Sequence, residues 1–364
     1  MTRALYIAAT GQNVGKTAVC LGLFSKLLKA YDRVGFIKPV GQRHVELEGA
    51  QVDKDVALFK CHFQLKEAAI DMSPVVFTRG YTKEALDSPQ KAKELEKQIQ
   101  CAFKKLSESC DVVLIEGTGH MGVGSVAGVS CARVAHLLNA EMYLVAKGGI
   151  GSSLDEIALN EALVKAEGGK LSGVILNKVF EEKLPEIKSY VEKGLKKRGI
   201  PLLGTVPYAP FLATPTMHDY AFLFKTPLIA GESKRFCHFT ERLLALGPAI
   251  DVQKQLKKNQ LIITSTGRED IVMALLASSQ KNPDIGLILT GNEPPKPSLI
   301  QLLEKSSIPT LYVNIPSYFA LEKITAFVTK FQHEDSVKTL AAIEAIEEHL
   351  DLIVRCPRPK KKLS

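Results

Sequence analysis

Ala9-Thr10-Gly11-Gln12-Asn13-Val14-Gly15-Lys16-Thr17 is the stretch on which the fold turns. A short apolar run precedes it and reads as a buried strand over residues 5–8, and a helix is expected over residues 16–29. Strand, glycine loop and helix in that order form the context that a phosphate-binding P-loop requires. Glycine lets successive backbone N–H groups turn toward phosphate oxygens, and the helix start adds the positive end of its dipole. Gly11, Gln12, Asn13, Val14, Gly15, Lys16, Thr17 and Ala18 are therefore the expected nucleotide cradle. Lys16 supplies a point charge for the β- and γ-phosphates, and the Thr17 hydroxyl suits Mg²⁺. The strict pattern wants glycine at position 10, where this chain has Thr10; Gly15-Lys16-Thr17 is intact.

Outward from the loop, short apolar runs alternate with helical patterns. The alternation predicts an α/β fold with a mostly parallel sheet and helices on both faces. Further strands are expected over residues 34–37, 112–115, 142–145, 174–176 and 202–206, and helices over 86–107 and 184–198. Five strand ends run into polar or glycine-rich stretches, at residues 9–15, 38–43, 116–124, 147–153 and 177–178. Ligands of open α/β sheets sit outside the carboxyl ends of strands, so these ends surround one candidate site. Pro207-Tyr208-Ala209-Pro210 suits a domain junction. A second, smaller α/β pattern follows, with strands at 261–264, 285–289 and 310–313. It closes with a helix whose apolar stripe reads Val337, Leu340, Ile343, Ile346, Leu350. The expected division is a nucleotide-binding domain over residues 1–210, a second domain over 211–354 and a basic tail over 355–364.

Other residues join the loop as candidates. Val112-Val113-Leu114-Ile115-Glu116 is an apolar strand ending in a carboxylate, Walker-B-like, whose acid would lie beside a Mg²⁺ held by Thr17. Lys38 follows the second strand and reads either as a contact to a γ-phosphate or anionic substrate, or as an exposed loop charge. Asp55, just beyond, reads either as a second Mg²⁺ contact or as another loop charge. Asn177 closes a strand, where its amide could read an adenine edge or simply form a turn. His120 and Arg79 are loop residues with either a chemical or a bland reading, and Arg268 either binds an anionic effector or faces solvent.

Composition bounds the rest. The chain has 364 residues, 46% hydrophobic and 24% charged, as in an ordinary globular protein of two domains or so. A net charge of +8 suits anionic ligands such as nucleotides, while 7% aromatics and no Trp leave little to stack nucleic-acid bases. Seven scattered cysteines, without a CxxC pair, read as reduced thiols of a cytoplasmic protein. No apolar run reaches the ~18 residues of a membrane span.

Taken in order, Gly15-Lys16-Thr17, Lys38-Pro39-Val40, Asp55, Glu116-Gly117-Thr118-Gly119, Asn177 and the segment Pro201 to Pro207 resemble dethiobiotin synthetase-like P-loop proteins over roughly residues 1–210. The resemblance implies that Lys16 and Lys38 contact ATP phosphates and substrate, and that Lys16, Lys38 and Glu116 form the catalytic set. It further implies that Asp55 and Glu116 hold Mg²⁺, that Asn177 contacts adenine and that the chain pairs as a homodimer. The nucleotide half matches more closely than the diamino-acid half. Asn13 stands in place of an acidic residue, His120-Met121 in place of Gly-Trp, and Gly41-Gln42-Arg43 in place of a serine-containing segment. Thr264-Ser265-Thr266-Gly267-Arg268-Glu269-Asp270 and Gly286 to Gly291 resemble a DRTGG domain. The two domains in this order resemble the amino-terminal, regulatory part of long phosphotransacetylases, whose catalytic domain would follow beyond Ser364. The expectation is an ATP- and Mg²⁺-binding regulatory or sensor protein, with an unidentified small ligand at the second domain, unable to transfer acetyl groups by itself. The alternatives are an ATP-dependent ligase acting on a small carboxylate or carbamate, and a non-catalytic partner of a separate phosphotransacetylase.

Overall fold

The computed structural model describes residues 2–88, 90–278 and 284–350. The chain divides into two compact units, one holding residues up to Ala209 together with the segment from Phe331, the other Pro210–Lys330.

The first unit is built on six parallel strands: β1 (Arg3–Ala9), β2 (Val34–Ile37), β3 (Val112–Glu116), β4 (Glu141–Lys147), β5 (Leu171–Val179) and β6 (Leu202–Pro207). Their spatial order is β6-β5-β4-β1-β3-β2, so the chain enters the sheet near its middle and winds outward both ways. Every residue of β3 and nearly every residue of β1 is buried, because helices cover both faces. That is why these strands read as unbroken apolar runs. Helix α1 (Lys16–Ala30) follows β1 and buries Val19, Leu21, Leu23, Phe24 and Leu27. Helix α2 (Lys54–Phe63) follows a short hairpin after β2 and adds Phe59, stacked on Phe36 at a 3.7 Å centroid distance.

Two expectations need correcting. The helix predicted over 86–107 is two helices, Tyr81–Asp87 and α3 (Lys91–Ser109), with Pro89 between them in sequence. A proline lacks an N–H to donate and clashes with the preceding turn, so a break there is expected physically. The final helix, α4 (Ser336–Glu347), belongs to the first unit and not to the second domain as drawn at residues 211–354. It packs on α1: Gly22 leaves room for Ile346, and Lys26 Nζ donates to the carbonyls of Glu347, at 2.7 Å, and Leu350. The basic tail, with Cys356, lies outside the described residues.

The second unit has its own sheet: β7 (Leu228–Ala230), β8 (Glu241–Leu244), β9 (Gln260–Ser265), β10 (Ile285–Thr290) and β11 (Thr310–Val313), ordered β7-β11-β10-β9-β8. All pairs are parallel except the β7 edge. Alternate residues serve opposite faces: Leu261 and Ile263 join Tyr220 and Phe239, while Ile262 joins Ile271 and Leu303. The described cysteines are all free thiols, and no described helix is long and apolar enough to cross a membrane.

Candidate functional site

Gly15 caps α1 with a left-handed φ of 96°, and no side chain caps the helix. The N–H groups of the first turn therefore lack a side-chain partner, which is the state an anion completes. The loop is held from behind by the end of β5. Asn177 Nδ2 donates to Val14 O at 2.9 Å, and Lys178 Nζ donates to Asn13 O at 2.8 Å. A Cβ on residue 15 would lie 2.2 Å from Asn177 Nδ2, so glycine is needed for both the φ value and the close approach.

In front of the loop, the end of β3 places Glu116, which has no solvent exposure. Its Oε1 accepts from Lys16 Nζ at 2.5 Å and from Thr17 Oγ1 at 3.0 Å. Its Oε2 is buried without a hydrogen-bond partner. Lys38, at the end of β2 and only 6% exposed, pairs with Asp55, with Asp53 Oδ1 at 3.1 Å and with Glu116 Oε1 at 3.8 Å. Asp53 is fixed independently. As the N-cap of α2 it accepts from Asp55 N at 3.0 Å, and its other oxygen takes the N–H of Gln42 at 3.0 Å and of Arg43 at 3.3 Å.

Burial and pairing compete at each charge. Burial alone would push the Lys38 ammonium toward neutrality, but the carboxylates of Asp55, Glu116 and Asp53 outweigh it and raise its pKa. Burial likewise works to raise Asp55, yet the ammoniums of Lys38 and Lys16 prevail and hold it below the usual carboxylate range. At Glu116 burial dominates; Lys16 works against it, Asp55 works with it, and the net shift is upward.

The structure thus gathers Lys16, Thr17, Lys38, Asp55 and Glu116 into one network. Asn177 is turned into the back of the loop: Nδ2 serves the loop carbonyl and Oδ1 takes the N–H of Lys178 at 2.9 Å, so part of the amide is engaged by backbone. Asp53 and Lys178 join the site although neither stands out in the sequence as a candidate. Asp53 carried a signal, an aspartate directly before a helical stretch, which is an N-cap residue type. His120 Nδ1 closes its own turn on Gly122 N at 3.1 Å. In the second unit Arg268 is neither free for an effector nor simply solvated. It donates to Leu246 O at 2.6 Å and Gly247 O at 2.7 Å and pairs with Asp270. Among the described residues no three His, Cys, Asp or Glu side chains are disposed to hold a metal by themselves.

A parallel sheet with this loop between β1 and α1, joined to a smaller α/β unit, defines a P-loop NTPase-type domain that carries an accessory domain. The family model described as AAA domain matches residues 3–216, and the chain belongs to that family. A DRTGG domain model matches residues 233–327. Among curated relatives, the phosphate acetyltransferase of Nitratidesulfovibrio vulgaris is 26% identical, with 96% of this chain and 51% of the relative aligned. The phosphate acetyltransferase of Pseudomonas putida is also 26% identical, over 99% of this chain and 52% of the relative. The chain spans about half the length of the curated relatives it matches. Among solved structures, the MinC:MinD cell division complex of Aquifex aeolicus aligns at a TM-score of 0.37 and 14% identity, over 58% of this chain and 84% of that one. A Cyanothece McdA–ATP complex aligns at 0.38 and 14%, over 57% and 84%.

Proposed function

We propose that the first unit binds ATP with Mg²⁺ and that the chain is a nucleotide-responsive regulatory protein, related to the amino-terminal part of phosphate acetyltransferases. One observation carries this reading. Lys16 and Thr17 converge on Glu116 at distances of 2.5 and 3.0 Å, at a helix start that no side chain caps. The donor set fits the ligand. Mg²⁺ is commonly held by one or two carboxylates together with substrate phosphates, so a protein cage of three acids is not required. The partnerless Oε2 of Glu116 is an acceptor that a cation or its water would satisfy.

Lys16 and the amides of residues 11–18 would hold the phosphates, while Thr17, Asp55 and Glu116 would hold the metal and Lys38 would face the γ-phosphate. Asn177 and Lys178 act behind the loop and fix its shape. Bound Mg²⁺ supplies charge neutralisation and orientation of the phosphates. The DRTGG unit would sense a small ligand.

Calorimetric titration with ATP, with and without Mg²⁺, tests the reading. Binding should require Lys16: Lys16→Ala should weaken it by at least about tenfold, or ~1.4 kcal/mol. Absence of ATP binding, or equal binding by the variant, overturns it. The buried Lys38 ammonium keeps an ATP-dependent ligase as a second reading, since it could also face the phosphorylated group of a small acid. ADP release stimulated by a diamino acid with CO₂ would favour that reading over a regulatory one.

A further inference from the structure

The carboxylates in front of the loop already hold cations, and those cations are the protein's own. Counted with every group ionised, Asp53, Asp55 and Glu116 against Lys16 and Lys38 leave one negative charge in a largely buried site. Lys38 sits among all three acids, with Asp53 at 3.1 Å, Glu116 at 3.8 Å and Asp55 in direct contact. It is as buried as a core residue, and it closes the place where two of the candidate metal-holding residues, Asp55 and Glu116, come together. A divalent cation arriving alone would confront two ammoniums at short range, and Mg²⁺ gives up its own water reluctantly.

We propose that Lys38 is an internal cation that keeps this carboxylate cluster closed to divalent metal, and that polyphosphate opens it by drawing the lysine away. The lysine stem has four rotatable carbons, so the ammonium can move to a phosphate oxygen without moving β2. Each transfer then helps the other. Phosphate removes the competing cation from Asp55, and the metal neutralises what the lysine has left. By linkage the effect is reciprocal, so metal raises the affinity for polyphosphate by the same factor. Glu116 Oε2, buried and without a partner, shows that the ammoniums complete the cluster only in part. Metal and nucleotide therefore enter together.

The half of the proposal that concerns polyphosphate rests on the nucleotide reading above; the half that concerns Lys38 does not. The test uses Mn²⁺ as a paramagnetic probe, titrated into the full chain and followed by the loss of the free-ion signal. Nucleotide-free wild type should take up Mn²⁺ weakly. Lys38→Met should gain a site at least about tenfold tighter without any nucleotide. Lys38→Arg, which keeps the charge, should stay as weak as wild type, and Asp55→Asn in the Lys38→Met background should abolish the gain. If Lys38→Met fails to fold, Lys38→Gln, which keeps a polar side chain without the charge, carries the same expectation. In wild type a non-hydrolysable ATP analogue should produce a comparable gain.

Tight Mn²⁺ binding by nucleotide-free wild type overturns the proposal. So does a folded Lys38→Met or Lys38→Gln variant without the gain. Failure of the analogue to bind at all, with the Lys38→Met gain present, would instead remove the nucleotide reading and leave the internal cation standing.

Discussion

At Gly15 one methyl group decides whether the loop can close. The residue holds φ at 96°, and a Cβ there would meet the Asn177 amide nitrogen at 2.2 Å. Gly15→Ala should cost about 1–3 kcal/mol in backbone strain alone. It should also displace the amide that satisfies Val14 O. A lower melting temperature together with lost ATP binding is expected; an alanine variant that keeps both would contradict the account. Asp55 gives a prediction in pH. Burial would raise its pKa, but Lys38 and Lys16 hold it low, so the native state binds its proton more weakly than the unfolded chain does. Its contribution is therefore complete above about pH 5 and is lost as pH falls below the ordinary carboxylate range. Glu116 is shifted the opposite way by its burial. Urea midpoints at pH 7 and at about pH 3 should differ less for Asp55→Asn than for wild type, while Glu116→Gln should not narrow that gap. Lys16, Thr17 and Glu116 were legible because each is marked locally, two by a contiguous motif and one by ending an apolar run. The Lys38–Asp53 pair was not legible, because it depends on how the hairpin between them folds back, which local spacing does not encode. The direction of the Asn177 amide was hidden for the same reason, since its partner lies 163 residues away.

Elements follow the same division between local and distant information. The parallel strands were legible because burial on both faces leaves only apolar residues to choose from. The last helix, α4, was legible as a helix, and Ile343, Ile346 and Leu350 of its expected stripe are buried, but the first half of the stripe is not. Val337 and Leu340 of the expected stripe are 61% and 51% exposed, while Thr339, Ala342, Ile343 and Ile346 face inward. Its partner α1 carries the complementary feature. Gly22 sits where a Cβ would come within 2.4 Å of Ile346 Cβ and 3.3 Å of Ile343 O. Ile346 Cβ is fixed by its own backbone, so a change of rotamer cannot relieve the clash and the two helices must separate. Glycine in mid-helix forgoes about 1 kcal/mol of propensity relative to alanine, and β-branched valine recovers less of it. Overpacking costs about 1–3 kcal/mol. Gly22→Val should therefore destabilise by about 1–2 kcal/mol in urea unfolding; a neutral or stabilised variant would show that α1 and α4 do not approach so closely.

For the whole chain, the consequence is that the first unit is discontinuous in sequence. The second unit, Pro210–Lys330, is spliced into it, and the segment from Phe331 returns to complete it. Nothing in the composition around Phe331 announces a return, because the apolar stripe of α4 would serve any core. The physical trace is the pairing itself: Lys26 Nζ donates to the carbonyls of Glu347, the last residue of α4, and of Leu350 just beyond it, Lys29 pairs with Glu347 at 2.7 Å, and Leu350 bridges to Gly204 on β6. A chain ending at Lys330 would lose this cover. Ile346 and Leu350 are 1% and 0% exposed and Ile343 only 8%. Burial of such side chains is worth about 1.5–3 kcal/mol each, an upper bound before the entropy of ordering the helix is subtracted. The truncated chain should unfold in two calorimetric transitions, with that of the first unit shifted to lower temperature and that of the second unit unmoved. Gly22→Val in the full chain identifies which transition belongs to the first unit, because it disturbs the same helix pair. If truncation at Lys330 left that transition where it was, α4 would be an accessory to the P-loop unit and not part of its core.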